Sequence, residues 1–112
     1  YHSQLMQSAK EAFADFIAPF EFKKPKFPVY SNVTGDAISE PELIKSALVE
    51  QIVSSVRFQD CILASSQSLG VDGFIECGPA KVLAGLVRRT DKSLDVQSVS
   101  EYADVEGFAR DA

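Results

Sequence analysis

The side chain best suited to catalysis in this sequence is His2, the only histidine among 112 residues. An imidazole titrates near neutral pH, so it can take a proton from a nucleophile and return it to a leaving group. Its usual companion is a serine in a Gly-x-Ser-x-Gly turn, and the sequence contains no such motif. Ser3 is better placed as the N-cap of a helix. On composition alone His2 is interpreted as a surface residue, because these residues cannot complete a catalytic triad.

Two cysteines and one glycine turn offer other chemistry. The two cysteines, Cys61 and Cys77, cannot supply the four ligands of a typical zinc site, so no metal site is predicted. Neither has the histidine partner or basic surroundings that would lower a thiol pKa, so both are predicted to be reduced and buried. The stretch Gly78-Pro79-Ala80-Lys81 could face an anion, but it has too few glycines for a phosphate loop. We interpret it as a tight turn between a strand and a helix.

Two polar residues lie where an element ends or where apolar neighbours surround them. Asn32 suits the end of a strand entering a turn, with its side chain bonded to nearby backbone. Gln51 follows Leu48 and precedes Ile52 on a predicted helix, so it needs a hydrogen-bond partner if it faces inward. A solvent-exposed Gln51 is the alternative.

The elements that must position these side chains begin with an amphipathic helix. It would start after Ser3 and end near Pro19, because apolar residues recur at helical spacing between them. The lysines of residues 23–26 are interpreted as a solvated loop. Residues 28–33 have the β-branched and aromatic content of a short strand, which a turn at Gly35 and Asp36 would end.

Two more helices are predicted in the middle of the chain. Ser39 and Glu42 have the spacing of a capping box, and the helix that they start would end near residues 54–55. A third helix runs from Phe58 to Leu69, and Gly70 can close it in the left-handed conformation.

The last third of the chain alternates strand and helix. Residues 71–77 have the composition of a strand buried in a parallel sheet, and Gly78-Pro79 leads into a helix that carries Val82 to Val87. A strand at residues 95–99 and a helix at residues 104–110 follow. This order predicts an α/β fold with parallel strands and crossing helices. Only about three strands are present, so we expect the rest of the sheet to come from a preceding segment.

Composition excludes several classes of function. The hydrophobic fraction is 46% and the charged fraction 24%, as in a folded globular domain. The formal net charge of −5 argues against a nucleic-acid binder. No apolar run approaches the ~20 residues of a membrane span, so a cytoplasmic protein is predicted.

Four blocks of the sequence, in order, resemble one enzyme family. Residues 1–6, Tyr-His-Ser-Gln-Leu-Met, resemble the (Phe/Tyr)-His-Ser-x-Leu-Met segment of malonyl-CoA:acyl carrier protein transacylases. Residues 28–35 resemble the family's Pro-Val-x-Ser-Asn-Val-Thr-Gly stretch. Residues 48–58 resemble its Leu-Val-x-Gln and Val-(Arg/Gln)-(Trp/Phe) helices. Residues 74–89 resemble its Glu-x-Gly-Pro-x-Lys-Val-Leu-x-Gly-Leu-x-(Lys/Arg)-Arg block, with Ala80 in place of the usual glycine.

The resemblance implies a fold, a reaction and three site residues. Residues 1–112 would form the C-terminal portion of the large subdomain of an α/β-hydrolase-like acyltransferase. Malonyl would pass from coenzyme A through an acyl-serine to the phosphopantetheine thiol of acyl carrier protein, with His2 as general base and acid and no bound cofactor. The main-chain carbonyl of Gln51 would orient His2. The ring of Tyr1 would favour malonyl over methylmalonyl substrates, unless it is simply a core aromatic.

The resemblance also implies what these residues lack. The serine nucleophile, the arginine that binds the malonyl carboxylate, the glutamine of the oxyanion hole and the ferredoxin-like subdomain belong to other segments of the family. We therefore expect the chain to be inactive alone and to need the N-terminal part of the same enzyme. Its other partners would be malonyl-CoA and acyl carrier protein, with no nucleic acid or membrane. The alternatives are a non-catalytic docking module for acyl carrier protein and an acyltransferase domain of a polyketide synthase.

Overall fold

The computed structural model describes residues 4–79 and 81–111, which contain five α-helices and four β-strands. The chain divides between Ser65 and Ser66 into two compact units. Tyr1, His2, Ser3 and Ala80 lie outside the described residues, so the N-cap predicted at Ser3 stays a prediction. The first unit combines helices with a β-hairpin, and the second is built on parallel strands. The predicted α/β fold class is confirmed.

The first helix of the first unit is α1, Gln4–Ile17. It ends before Pro19, as predicted, and its last residue Ile17 is buried. Beyond it the lysines at positions 23, 24 and 26 are exposed, which agrees with a solvated loop.

A β-hairpin follows, formed by β1 (Val29–Ser31) and β2 (Asp36–Ile38) in antiparallel register. The Gly35 N–H donates to the Ser31 carbonyl at 2.8 Å and closes the turn. Gly35 has φ +69°, and a Cβ there would come within 2.9 Å of the Asp60 Cβ, so only glycine fits. The strand predicted at residues 28–33 is confirmed in its centre. Its pairing is antiparallel, and β2 was not predicted.

Two helices complete the first unit. The second helix, α2 (Pro41–Glu50), packs against α1, and its N-cap is Glu40, which makes no side-chain capping bond. The capping box predicted at Ser39 is therefore wrong, because the extended Glu40 and Pro41 start the helix by backbone geometry. The α-helix also ends at Glu50, and only turns continue to Ser54.

The third helix, α3 (Phe58–Leu69), has its predicted bounds. It buries Cys61, Ile62 and Ser65, and Gly70 follows with φ +65°. The left-handed glycine predicted to close this helix is confirmed.

The second unit is a strand–helix–strand arrangement followed by a helix. The strands β3 (Gly73–Cys77) and β4 (Asp95–Val99) are parallel, with Gly73 opposite Asp95 and Cys77 opposite Val99. Between them α4 (Val82–Thr90) packs on β4, as does the final helix α5 (Tyr102–Asp111). Ala84, Val87 and Leu94 form the buried apolar centre of this unit. The predicted order of strands and helices is confirmed here.

Candidate functional site

The candidate site of the first unit is a cavity of about 200 Å³ between the β-hairpin and the C-terminal half of α2. It is lined by Val29, Tyr30, Ser31, Asn32, Ile38, Ile44, Ala47, Leu48 and Gln51. Most of these side chains are apolar, and the polar ones come from the end of β1 and the end of α2. A small apolar cavity with a few convergent polar groups is the usual form of a ligand or active site.

Gln51 forms the polar end of the cavity on the α2 side. It is the C-cap of α2, and its N–H donates to the Ala47 carbonyl at 2.9 Å. Its own carbonyl accepts from the Ser54 N–H at 3.4 Å, which is longer than an ordinary N–H···O bond. Because a carbonyl oxygen has two lone pairs, the Gln51 carbonyl can accept a further, stronger hydrogen bond. It also lies at the negative end of the α2 dipole, which favours a cationic donor.

Asn32 forms the polar end on the hairpin side, and α3 holds it in place. The Asn32 carbonyl accepts from the Arg57 N–H at 2.9 Å, and its Oδ1 lies 3.8 Å from the Cys61 Sγ. The Cys61 Sγ is also 3.3 Å from the Ser31 carbonyl. The side-chain contact of Asn32 is therefore to Cys61, rather than to nearby backbone as the sequence suggested.

The surroundings of the cysteine beneath this turn favour its protonated thiol. Burial raises the pKa of the Cys61 thiol, and the negative charge of Asp60 raises it further. The thiol therefore stays protonated near neutral pH and donates to the Ser31 carbonyl. The predicted burial of Cys61 is confirmed, whereas Cys77 is exposed, because it lies at the end of a sheet that has two strands among the described residues.

The second unit contains a buried carboxylate that the sequence did not single out. Glu76 on β3 is only 8% exposed, and its Oε2 accepts from the Leu83 N–H in the first turn of α4 at 2.7 Å. Its Oε1 accepts from the Ser98 hydroxyl of β4 at 3.0 Å. The helix has Lys81 as its N-cap, with φ +55° and no capping side chain. Glu76 therefore supplies the missing cap and joins both strands to α4.

The sequence-predicted site residues divide between described and undescribed parts of the chain. Gln51 and Asn32 line the same cavity. His2 and Tyr1 lie outside the described residues, so their roles stay predictions. The glycine turn before α4 is a strand-to-helix connection, as predicted, in which the Gly78 N–H extends the β4 pairing by donating to the Val99 carbonyl at 3.0 Å.

Among residues 4–79 and 81–111 no group of three or more histidine, cysteine, aspartate or glutamate side chains could hold a metal ion. None of the helices in the described part of the chain is both long enough and apolar enough to cross a membrane.

The α/β fold of this chain matches that of proteins with an α/β-hydrolase-like acyltransferase fold. Nearly the whole chain is similar to malonyl-CoA:acyl carrier protein transacylases, so the resemblance stated from the sequence is confirmed. The transacylase of Staphylococcus aureus strain COL is 39% identical over 111 residues, which are 96% of this chain and 35% of that protein. No protein-family model matches the chain.

Solved structures show the same correspondence. An acyl-carrier-protein S-malonyltransferase from Burkholderia pseudomallei superposes with a TM-score of 0.83 at 37% identity, covering 97% of this chain and 35% of that one. A malonyl-transacylase solved in complex with its type II PKS acyl-carrier protein superposes with a TM-score of 0.82 at 31% identity, covering 99% and 36%. The chain thus spans about a third of the length of its relatives and corresponds to their C-terminal portion.

Proposed function

We propose that the protein to which these residues belong transfers malonyl from malonyl-CoA to acyl carrier protein, with His2 as its general base and acid. The observation that carries the proposal is the position of Gln51 in a chain so similar to malonyl transferases. Gln51 lines a cavity, and its carbonyl lies at a helix C-terminus and retains an acceptor site. This is the acceptor that an imidazole needs to fix its tautomer.

In the first half-reaction His2 would accept the hydroxyl proton of a serine that lies outside these 112 residues. The serine oxygen bonds to the thioester carbon of malonyl-CoA, and the C–S bond then breaks. The departing coenzyme A sulfur takes the proton from the imidazolium. The products are malonyl-serine and free coenzyme A, with His2 neutral again.

In the second half-reaction the same groups work in reverse. The phosphopantetheine thiol of acyl carrier protein gives its proton to His2, and its sulfur bonds to the malonyl carbonyl carbon. The bond from that carbon to the serine oxygen breaks, and the serine recovers its proton from the imidazolium. Acyl carrier protein is proposed as the partner because one structural neighbour was solved in complex with its own acyl-carrier protein.

The Gln51 carbonyl would have two effects on this cycle. As an acceptor for one ring N–H it would leave the other ring nitrogen free to act as the base. A neutral carbonyl stabilises imidazolium less than a carboxylate does. The negative end of the α2 dipole would recover part of the difference, on the order of 0.3 to 1 kcal/mol.

The experiment is to replace His2 by alanine in the complete protein and to follow malonyl transfer from malonyl-CoA to acyl carrier protein. We expect kcat/KM to fall by about three to four orders of magnitude, as the loss of a triad base costs elsewhere. Gln7→Ala is the matched control, since Gln7 is an exposed residue of α1. An His2→Ala protein within about tenfold of the parent would remove His2 from the mechanism.

A further inference from the structure

Two polar contacts join α1 to α2 near opposite ends of the pair. The Lys10 Nζ lies 2.6 Å from the Glu50 Oε1, and Glu50 is the last residue of α2. The Lys45 Nζ donates to the Ala18 carbonyl at 2.8 Å and to the Phe20 carbonyl at 3.0 Å, just beyond the end of α1.

These contacts define the direction and register of the two helices. Lys10, in the middle of α1, meets the end of α2, and the residues just beyond the end of α1 meet Lys45 in the middle of α2, so the helices run antiparallel. The first residue of α1, Gln4, lies about 9 Å along the helix axis from Lys10. Because the helices are antiparallel, going from Lys10 to Gln4 along α1 is the same direction as going from Glu50 to Gln51 along α2. His2 stands two residues before Gln4 in the sequence.

The contacts are better suited to setting register than to adding stability. The Lys10 side chain is 21% exposed and the Glu50 side chain 49%, and such partly exposed ion pairs contribute about 1 kcal/mol or less. Apolar packing between helices is non-directional, whereas a charge pair and a pair of hydrogen bonds favour one alignment. Lys45 adds specificity because its donors meet carbonyls at the C-terminal end of α1, where helical N–H partners are lacking.

We propose that Lys10, Glu50 and Lys45 are positioning residues that set the register of α1 on α2 and thereby hold His2 at the Gln51 carbonyl. The inference rests on the proposed function, because it concerns the alignment of the base with its acceptor. Small displacements of a catalytic group are costly, and about 1 Å can lower a rate by about 100-fold. A weak surface ion pair can therefore matter more for turnover than for folding.

The test compares Lys10→Met and Glu50→Gln in the complete protein, with malonyl transfer to acyl carrier protein as the readout. Each variant is expected to lower kcat about tenfold and to leave the KM for malonyl-CoA within about twofold, because the base moves and the substrate site does not. The double variant Lys10→Glu with Glu50→Lys restores the ion pair and should recover most of kcat. Glu106→Gln is the control, since it removes the carboxylate of an exposed glutamate on α5.

The sign of the change in kcat in the two single variants separates a positioning role from a direct effect of charge. If the Glu50 carboxylate acted directly on the imidazolium, removing it and removing the Lys10 ammonium would change kcat in opposite directions. Such a result would overturn the inference, as would two variants that match Glu106→Gln while His2→Ala is inactive. A parent without malonyl transfer, or an active His2→Ala protein, would instead refute the proposed function together with the inference.

Discussion

At the scale of single residues, the position of Gln51 is what would make its main-chain carbonyl available to the proposed base His2. The α2 helix ends one residue earlier, at Glu50, so the Gln51 carbonyl is among the last of the helix and is only weakly engaged by the Ser54 N–H. If the helix continued, this carbonyl would accept a hydrogen bond from a helical N–H. Because α2 ends at Glu50, the Gln51 carbonyl can still accept a further hydrogen bond.

A prediction at this scale concerns Tyr1, which the family resemblance places beside the base. If its ring forms the wall at the α-carbon of the substrate, replacing it by serine in the complete protein should make room for a methyl group. A methyl-sized difference is typically worth ~1 to 3 kcal/mol, or about 10- to 200-fold. The measurement is the ratio of kcat/KM for malonyl-CoA to that for methylmalonyl-CoA, which should fall in Tyr1→Ser. An unchanged ratio would assign Tyr1 to core packing and place the wall elsewhere.

At the scale of elements, the βαβ arrangement of the second unit depends on one carboxylate. The N-terminus of α4 follows Gly78, with φ +139°, and Lys81, with φ +55°. Lys81 makes no side-chain capping bond, which leaves the first N–H groups of α4 without a local cap. Glu76 reaches the Leu83 N–H from the preceding strand and the Ser98 hydroxyl from the neighbouring strand, so it ties together three elements.

We predict that Glu76→Ala in the complete protein weakens the start of α4 by about 1 to 3 kcal/mol, because it leaves the Leu83 N–H and the Ser98 hydroxyl without their acceptor. Hydrogen exchange at the Leu83 amide should accelerate by about 10- to 100-fold if α4 opens locally. Glu76→Gln retains one carbonyl acceptor and should lose less protection. Glu106→Ala, at an exposed glutamate of α5, serves as the control. Equal hydrogen-exchange protection of the Leu83 amide in all variants would refute the capping role of Glu76.

At the scale of the whole molecule, the described residues bury little apolar surface. Six hydrophobic residues are buried. Many large apolar side chains are exposed to solvent, among them Leu5 at 81%, Phe27 at 78% and Ile75 at 49%. Strand β3 pairs with β4 on one side, and among residues 4–79 and 81–111 no strand pairs its other edge. An open hydrophobic strand edge favours association with other chains.

We therefore predict that the 112 residues expressed alone do not unfold in one cooperative transition. They should bind a hydrophobic dye such as ANS and self-associate, because the exposed apolar groups and the free β3 edge lack partners. Calorimetry and sedimentation of the isolated chain provide the measurement, with the complete protein as the control. A monomer with a single sharp unfolding transition would contradict this expectation.

The elements whose signals are local could be predicted from the amino-acid sequence alone. Helical spacing, Gly70 and the β-branched composition of β3 and β4 were enough to locate α1, α3 and the strand–helix–strand order of the second unit. These patterns are short-range, so they can be read without knowing the neighbours of each residue. The family resemblance then predicted that the Gln51 carbonyl orients His2, and the structure puts Gln51 at the end of α2.

The features that join distant parts of the chain became visible in the folded structure. The short strand β2 has little strand character of its own and forms because it can pair with β1 across a glycine turn. Glu76 becomes a cap through contacts seven and 22 residues away, and Lys10 meets Glu50 only because α1 packs on α2. The physical reason is that a buried or paired polar group is defined by its partners, and those partners are brought together by packing rather than by sequence spacing.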